Sequence, residues 1–125
     1  MKTILNTAAA PKAIGPYSQA VGTEALLYTS GQLGIDPTTG KLVDGVEAQA
    51  QQAMRNLGAI LEARGLSYAN IIKTTIFLAN MADFAAVNGV YATYFPAPYP
   101  ARSCVAVAGL PRDARVEVEV IAIRR

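Results

Sequence analysis

Three charged side chains in the last quarter of the chain are the best candidates for chemistry. Arg102 lies in the segment Tyr99-Pro-Ala-Arg-Ser-Cys-Val105, and Glu117 and Glu119 alternate with valines in a later segment. A fixed guanidinium can bind a small carboxylic acid, and a neighbouring carboxylate can position a water molecule against that acid. The chain has no histidine and a single cysteine, so acid–base chemistry depends on Asp, Glu, Tyr, Lys or that one thiol.

The composition predicts a folded protein and argues against several kinds of partner. The chain has 125 residues, 52% of them hydrophobic and 16% charged, so we expect one domain over residues 1–125 with a substantial core. The net charge is only +2, and the lysines and arginines are scattered, which argues against a nucleic-acid-binding surface.

Cysteine and histidine usage also limits the choice of site and compartment. One cysteine and no histidine exclude an intrachain disulfide and a multi-cysteine zinc site. The sequence has no signal-peptide pattern and no apolar stretch near the roughly 20 residues that span a membrane. We therefore expect a reducing, cytoplasmic location.

Hydrophobic periodicity predicts the element order β-β-β-α-β-α-β-β. Strands are expected near residues 2–6, 17–21, 25–29, 71–78, 101–107 and 114–123. The first helix is predicted to start at the Asp44-x-x-Glu47 capping pattern and to end at Gly65. The second is predicted to start near Asn80 and Asp83 and to end before Pro96. Two helices cover one face of such a sheet, so the predicted fold class is α+β with both helices on the same face.

The last two strands are predicted to pair as an antiparallel hairpin, because only a short loop containing Gly-Leu-Pro separates them. Valine alternation marks the core face of the last strand, so Glu117 and Glu119 point to the opposite face. The same alternation buries Val105 in the preceding strand and turns Arg102 and Cys104 away from the helices. A cross-strand salt bridge of about 0.2–1 kcal/mol is the ordinary alternative to a binding site.

The sheet face away from the helices is predicted to be partly apolar. Ala106, Ile121 and Ile123 are expected there, beside the carboxylates. An apolar face of this kind is typical of an interaction surface. We therefore expect another subunit to cover it, with any cleft on this face lying between subunits.

Six segments in register resemble one known family over essentially the whole chain. They are Ile14-Gly-Pro-Tyr-Ser-Gln19, Thr29-Ser-Gly-Gln32, Lys73-Thr-Thr-Ile-Phe77, Phe84-Ala-Ala-Val-Asn88, Tyr99-Pro-Ala-Arg-Ser-Cys-Val105 and Val116-Glu-Val-Glu119. Together they resemble the reactive intermediate deaminase family, called Rid or YjgF, and in particular its RidA-type branch. The resemblance implies a chorismate-mutase-like fold and a homotrimer with the uncovered sheet face inward and three clefts between subunits.

The resemblance also implies an activity and a set of site residues. The implied reaction is hydrolysis of 2-imino acids to 2-keto acids and ammonia, without a metal or an organic cofactor. The implied substrates are imines such as 2-iminobutanoate and 2-iminopropanoate, which pyridoxal-phosphate enzymes release. By position, Arg102 corresponds to the clamp on the substrate carboxylate and Glu117 to the residue that orients or activates water. The implied cleft-lining positions are Tyr17, Ser30, Gly31, Asn88 and Cys104. Val118, Ala106 and Gly109 depart from the family pattern, which affects only the expected substrate size.

Several alternatives remain open from the residues alone. Glu119 could replace Glu117, and Cys104 is either a redox nucleophile or an inert small side chain. Ser30 and Gly31 form either an oxyanion-binding pair of backbone N–H groups or a plain strand-end turn. At the level of function, the alternatives are a carboxylate-binding trimer without turnover and a chaperone-like or translation-inhibiting protein.

Overall fold

The computed structural model describes residues 1–124, which form one mixed seven-stranded sheet with two α-helices on one face. The strands are β1 (Thr3–Leu5), β2 (Ala20–Gly22), β3 (Leu26–Thr29), β4 (Gln32–Leu33), β5 (Ile71–Leu78), β6 (Ala101–Ala106) and β7 (Val116–Ile123). The helices are α1 (Val46–Glu62) and α2 (Phe84–Ala92). The predicted α+β class, with both helices on one face, is confirmed.

The sheet order is β1-β2-β3-β7-β5-β6, and β4 continues the pairing of β3 along β7. All pairs are antiparallel except β5 with β6, which are parallel. Helix α2 connects these two parallel strands, as expected for a β-α-β crossover. Strand β6 is therefore an edge strand, separated from β7 by β5.

The predicted hairpin between the last two strands is wrong. In the β5–β6 pairing Arg102 lies opposite Thr74, whereas in the β5–β7 pairing Glu117 lies opposite Phe77. Thr74 is fully buried under the helices, so Arg102 and Cys104, two residues further on, lie on the helix face of the sheet. The crossover through α2 places β6 beside β5 and parallel to it. The short loop between β6 and β7, on which the hairpin prediction rested, does not indicate this pairing.

The core lies between the helices and the helix face of the sheet. Helix α1 buries a stripe at three- and four-residue spacing, and the valines of β7 face it. This buried set comprises Ala50, Ala53, Met54, Leu57, Ile60, Leu61, Val116, Val118, Val120 and Ala122.

The prediction that Asp44 and Glu47 cap the start of helix α1 is wrong. The N-cap residue is Gly45, with φ 92°, and no side chain caps the helix there. Gly65, with φ 74°, follows the last turn as predicted.

The face away from the helices is partly apolar, as predicted. Ile121 and Ile123 lie on it at intermediate exposure, and Tyr28 and Val105 are 47% and 46% exposed. Ala106 is not part of this face, because it pairs with the core residue Leu78. We call this surface the outer sheet face.

Candidate active site

Arg102 is held against one face of helix α2. Its Nη1 atom donates a hydrogen bond to Asn88 Oδ1 at 2.6 Å, and its guanidinium lies 5.0 Å from the ring centroid of Tyr91 and 5.5 Å from that of Phe84. The side chain is nevertheless exposed at the sheet edge. An open cavity of about 530 Å³ adjoins it, lined by Asn88, Tyr91, Ala92, Tyr99, Pro100 and Arg102. A guanidinium fixed in this way can bind a carboxylate that enters from solvent.

Cys104 lies on the same face of β6 as Arg102 and is partly buried. Burial raises the pKa of its thiol, and the nearby Arg102 charge opposes this shift. A thiol of raised pKa is protonated at neutral pH and is a poor nucleophile. The geometry therefore favours the inert alternative for Cys104 over the redox one.

Glu117 lies on the outer sheet face, in a groove of about 320 Å³. Burial raises the pKa of its carboxyl group, and the neighbouring Glu119 charge raises it further. A carboxylate with a raised pKa is better matched to proton transfer near neutral pH than an ordinary glutamate. Glu117 lines the groove, so it is a better candidate than Glu119 for acting on a water molecule there.

The carboxylate of Glu117 packs directly on the backbone of Gly31. A Cβ atom at this position would lie 2.6 Å from Glu117 Oε2, so no larger residue fits without displacing the carboxylate. Gly31 occurs where β3 stops and β4 has not begun. Thr29 fills this interruption by accepting a hydrogen bond from the Val120 N–H at 3.0 Å. The interruption brings the Gly31 backbone next to the carboxylate.

Ser30 has a structural role in this turn. Its N–H donates to the Gln19 carbonyl at 2.8 Å, and its hydroxyl donates to the Ser18 carbonyl at 2.6 Å. Both polar hydrogens are therefore used within the chain. Because the Ser30 N–H already donates to a carbonyl, it is not free to bind an oxyanion. The alternative of a plain strand-end turn therefore fits this residue better.

Tyr17 lies in the same groove as Glu117 and is 53% exposed. Its hydroxyl accepts a hydrogen bond from the Ile14 N–H at 3.3 Å. The buried Gln19 side chain holds the preceding loop in place by binding the backbone of Thr7 and Pro11. The groove wall that carries Tyr17 is thus anchored to the start of β2.

The candidate residues form two separate groups on opposite faces of the sheet. The first, which we call the clamp half-site, contains Asn88, Arg102 and Cys104 together with Tyr91. The second, the water half-site, contains Tyr17, Gly31 and Glu117. The predicted contact between Arg102 and Glu117 within one chain is therefore wrong, for the reason that makes the hairpin wrong: β5 lies between their strands.

Sequence reasoning missed some residues of both half-sites. Phe84 and Tyr91 pack on Arg102, and the signal for this was their spacing with Asn88 on one face of α2. Arg112 lines the groove of Glu117 and has φ 60°, an uncommon conformation for a residue other than glycine. No sequence pattern indicated that conformation.

The described part of the chain, residues 1–124, contains neither a candidate metal cluster nor a helix that could span a membrane. No group of three or more His, Cys, Asp or Glu side chains in this range is arranged to hold a metal ion. Neither of the two helices described there combines the length and the hydropathy that crossing a membrane requires.

Comparison with known proteins gives a consistent result over the full length. The model of the family described as Endoribonuclease L-PSP matches residues 7–124. A mouse protein named 2-iminobutanoate/2-iminopropanoate deaminase is 50% identical over 125 residues, covering 99% of this chain and 93% of the mouse protein. The protein of the same name from Salmonella typhimurium is 48% identical over 128 residues, and the alignment covers 100% of this chain and 100% of the Salmonella protein. The crystal structure of E. coli TdcF with bound serine superimposes with a TM-score of 0.95 at 45% identity, covering 98% of this chain and 99% of that one.

Proposed function

Because this chain belongs to the endoribonuclease L-PSP family, also called YjgF or Rid, we propose that it hydrolyses 2-imino acids to 2-keto acids and ammonia. Its substrates are small imines such as 2-iminobutanoate and 2-iminopropanoate. The support is the full-length similarity, near 50% identity, to proteins named for this deamination. We assign the reaction to the cytoplasm, where a single free thiol such as that of Cys104 stays reduced.

The exposed Arg102 guanidinium carries this proposal, because it is a preformed receptor for the carboxylate that all 2-imino acids share. Asn88 and the α2 rings hold the side chain without neutralising its charge. Charge-assisted hydrogen bonds of this kind contribute about 1.5–3 kcal/mol. Their larger effect is to fix the imine carbon relative to the attacking water.

The complete site requires two copies of the chain. Arg102 and Glu117 lie on opposite faces, and their strands are two strand spacings apart, about 10 Å. One small 2-imino acid does not span that separation through the sheet. A second copy that lays its clamp half-site over the outer sheet face of the first would bring Arg102 to Glu117 and would cover the exposed Tyr28 and Val105.

Such a contact joins two different surfaces and is therefore heterologous. Heterologous contacts close into rings when the rotation permits. The resemblance to the Rid family implies three subunits, so we assign a homotrimer with three clefts. Each cleft would combine the clamp half-site of one subunit with the water half-site of the next.

Glu117 acts on water in this scheme. The oxygen of water bonds to the carbon of the protonated imine while Glu117 accepts a proton from that water, which gives a neutral carbinolamine. Glu117 returns the proton to the amine nitrogen, and the C–N bond breaks with its electron pair going to nitrogen. The hydroxyl proton leaves as the carbonyl forms, so the products are a 2-keto acid, ammonia and a proton.

The test is ammonia release from imines generated in solution by an amino-acid oxidase. We expect Arg102→Ala to fold and to lose the acceleration of hydrolysis, because the carboxylate is no longer held. Arg55→Ala, which removes an exposed arginine of α1 outside both half-sites, is the matched control and should behave as wild type. Normal turnover by folded Arg102→Ala would exclude the clamp role.

Glu117→Gln separates binding from turnover in the same assay. We expect the rate to fall about 10²–10⁴-fold, since a positioned general base contributes this much. Binding of 2-ketobutyrate should be largely kept. An unchanged rate would point to Glu119 or to unaided water. A wild-type protein that binds 2-ketobutyrate without accelerating ammonia release would instead be a carboxylate-binding protein.

A further inference from the structure

The ring of Tyr91 beneath Arg102 is itself fixed by a buried hydrogen bond. The Tyr91 hydroxyl and Thr74 Oγ1 are 2.8 Å apart, and the two residues are only 5% and 0% exposed. Thr74 is also the residue of β5 that lies opposite Arg102 in the parallel pairing. One buried threonine therefore aligns the strand that carries Arg102 and the ring that lies against its side chain.

An exposed arginine without such support samples many rotamers. Each binding event would then have to order the side chain, which weakens binding. A ring at 5.0 Å attracts the guanidinium through its face, whereas carboxylates are bound through the N–H edge. The ring can therefore orient the cation without competing with a carboxylate for its donors.

We propose that Tyr91 is a positioning residue, which holds the Arg102 guanidinium in the orientation that binds the substrate carboxylate. This inference rests on the proposed hydrolysis of 2-imino acids and adds a residue to its machinery. Tyr91 does not touch the reacting atoms. It acts through Arg102, and its own orientation comes from Thr74.

Tyr91 also packs in the core, so the test must separate positioning from packing. Its ring centroid lies 4.8 Å from that of Phe95. A merely structural role would weaken all ligands of the cavity alike. A positioning role weakens only ligands with a carboxylate. The readout is therefore the ratio of dissociation constants, measured by calorimetry, for 2-ketobutyrate and its uncharged analogue 2-ketobutyramide.

Tyr91→Leu should reduce the affinity for 2-ketobutyrate about tenfold, the size of a lost cation–π contact, and leave that for the amide unchanged. In turnover, KM for the imino acid should rise while kcat changes less. Tyr91→Phe keeps the ring but loses the bond to Thr74, and it should show an intermediate loss of carboxylate preference. Tyr94→Leu is the matched control, because that ring lies 5.1 Å from the Tyr68 ring and its hydroxyl donates to the Gln51 carbonyl. It should keep the wild-type ratio.

An unchanged ratio in folded Tyr91→Leu, or an equal loss for both ligands, overturns the inference. Where Tyr91→Leu does not fold, a wild-type ratio in Tyr91→Phe overturns it in the same way. A wild-type protein without carboxylate preference also overturns it. Failure of the proposed function is a distinct result: binding of 2-ketobutyrate without imine hydrolysis removes the enzyme activity and leaves the ratio, and hence the role of Tyr91, measurable.

Discussion

At the residue scale, the water half-site depends on the burial of the Glu117 carboxylate and on the absence of a side chain at Gly31. Glu117 is half-buried beside a second carboxylate, which keeps the pKa of its carboxyl group above the usual glutamate range. Gly31 provides the space that this carboxylate occupies. The site therefore depends on a side chain that is costly to ionise and on a neighbour that has no side chain.

The raised pKa of Glu117 predicts the acid limb of the rate profile. Burial and Glu119 both disfavour the charged form, so the Glu117 carboxylate, the proposed base, is lost at a higher pH than the carboxylate of a free glutamate. We expect kcat/KM to fall on acidification with an apparent pKa above the ordinary value of about 4.3. Measurement of kcat/KM against pH checks this. The limb should be missing in Glu117→Gln, and a limb that persists unchanged in that variant would assign it to another group.

Gly31→Ala should displace the Glu117 carboxylate. The added Cβ would lie 2.6 Å from Oε2, so the carboxylate has to move away from its position. We expect kcat to fall on the order of 10²-fold, because misplacement of a catalytic group by about 1 Å has this effect. Affinity for 2-ketobutyrate, which we assign to Arg102, should change less.

The control for this substitution is Gly89→Ala. Gly89 is an exposed residue of α2 with nothing within 4 Å of an added Cβ. This variant should keep wild-type kcat and gain about 0.5–1 kcal/mol in the free energy of unfolding. Wild-type kcat in both variants would show that Gly31 does not set the position of the carboxylate.

At the scale of elements, helix α1 holds the segment that follows the β3–β4 interruption. The buried Asn56 amide donates to the Leu33 carbonyl at 3.1 Å and to the Ile35 carbonyl at 2.9 Å. Its oxygen accepts from Gln52 Nε2 at 2.9 Å. A single helical side chain therefore ties two backbone carbonyls of this segment to α1.

Asn56→Ala should lower the free energy of unfolding by about 2 kcal/mol or more, because it leaves two carbonyls without their donor. Chemical denaturation measures this. Gln52→Ala, which removes only the outer bond of the same network, is the control and should cost about 1 kcal/mol. Equal, small losses in both variants would show that water satisfies the Leu33 and Ile35 carbonyls.

For the whole molecule, the separation of the two half-sites would make the proposed activity a property of the assembly. Arg102 and Glu117 belong to opposite faces of one chain, and the proposed trimer places them in one cleft from two chains. Each cleft then needs one intact arginine and one intact glutamate, in different subunits. A site contained within one chain would need both in the same subunit.

Mixed trimers distinguish these two arrangements. Refolding Arg102→Ala together with Glu117→Gln in equal amounts should restore about a quarter of the wild-type ammonia release. With random mixing, about a quarter of the clefts combine an intact Arg102 from one subunit with an intact Glu117 from the next. Mixing Glu117→Gln with the double variant should restore nothing, because no intact Glu117 is present. Absence of recovery in the first mixture, with mixed trimers shown by mass, would contradict the shared cleft.

The sequence alone determined both helices, six of the seven strands, the core face of β7 and the residue types available for chemistry; it did not predict the two-residue strand β4. Valine alternation works for β7 because this central strand has one face fully buried by α1. The same reasoning failed for β6, an edge strand whose residues are almost all exposed, so alternation carries no information about its faces. Only the tertiary structure decided which strand β6 pairs with, because this pairing depends on how the crossover helix α2 packs on the sheet. The pairing with β5 places Arg102 on the helix face, away from Glu117.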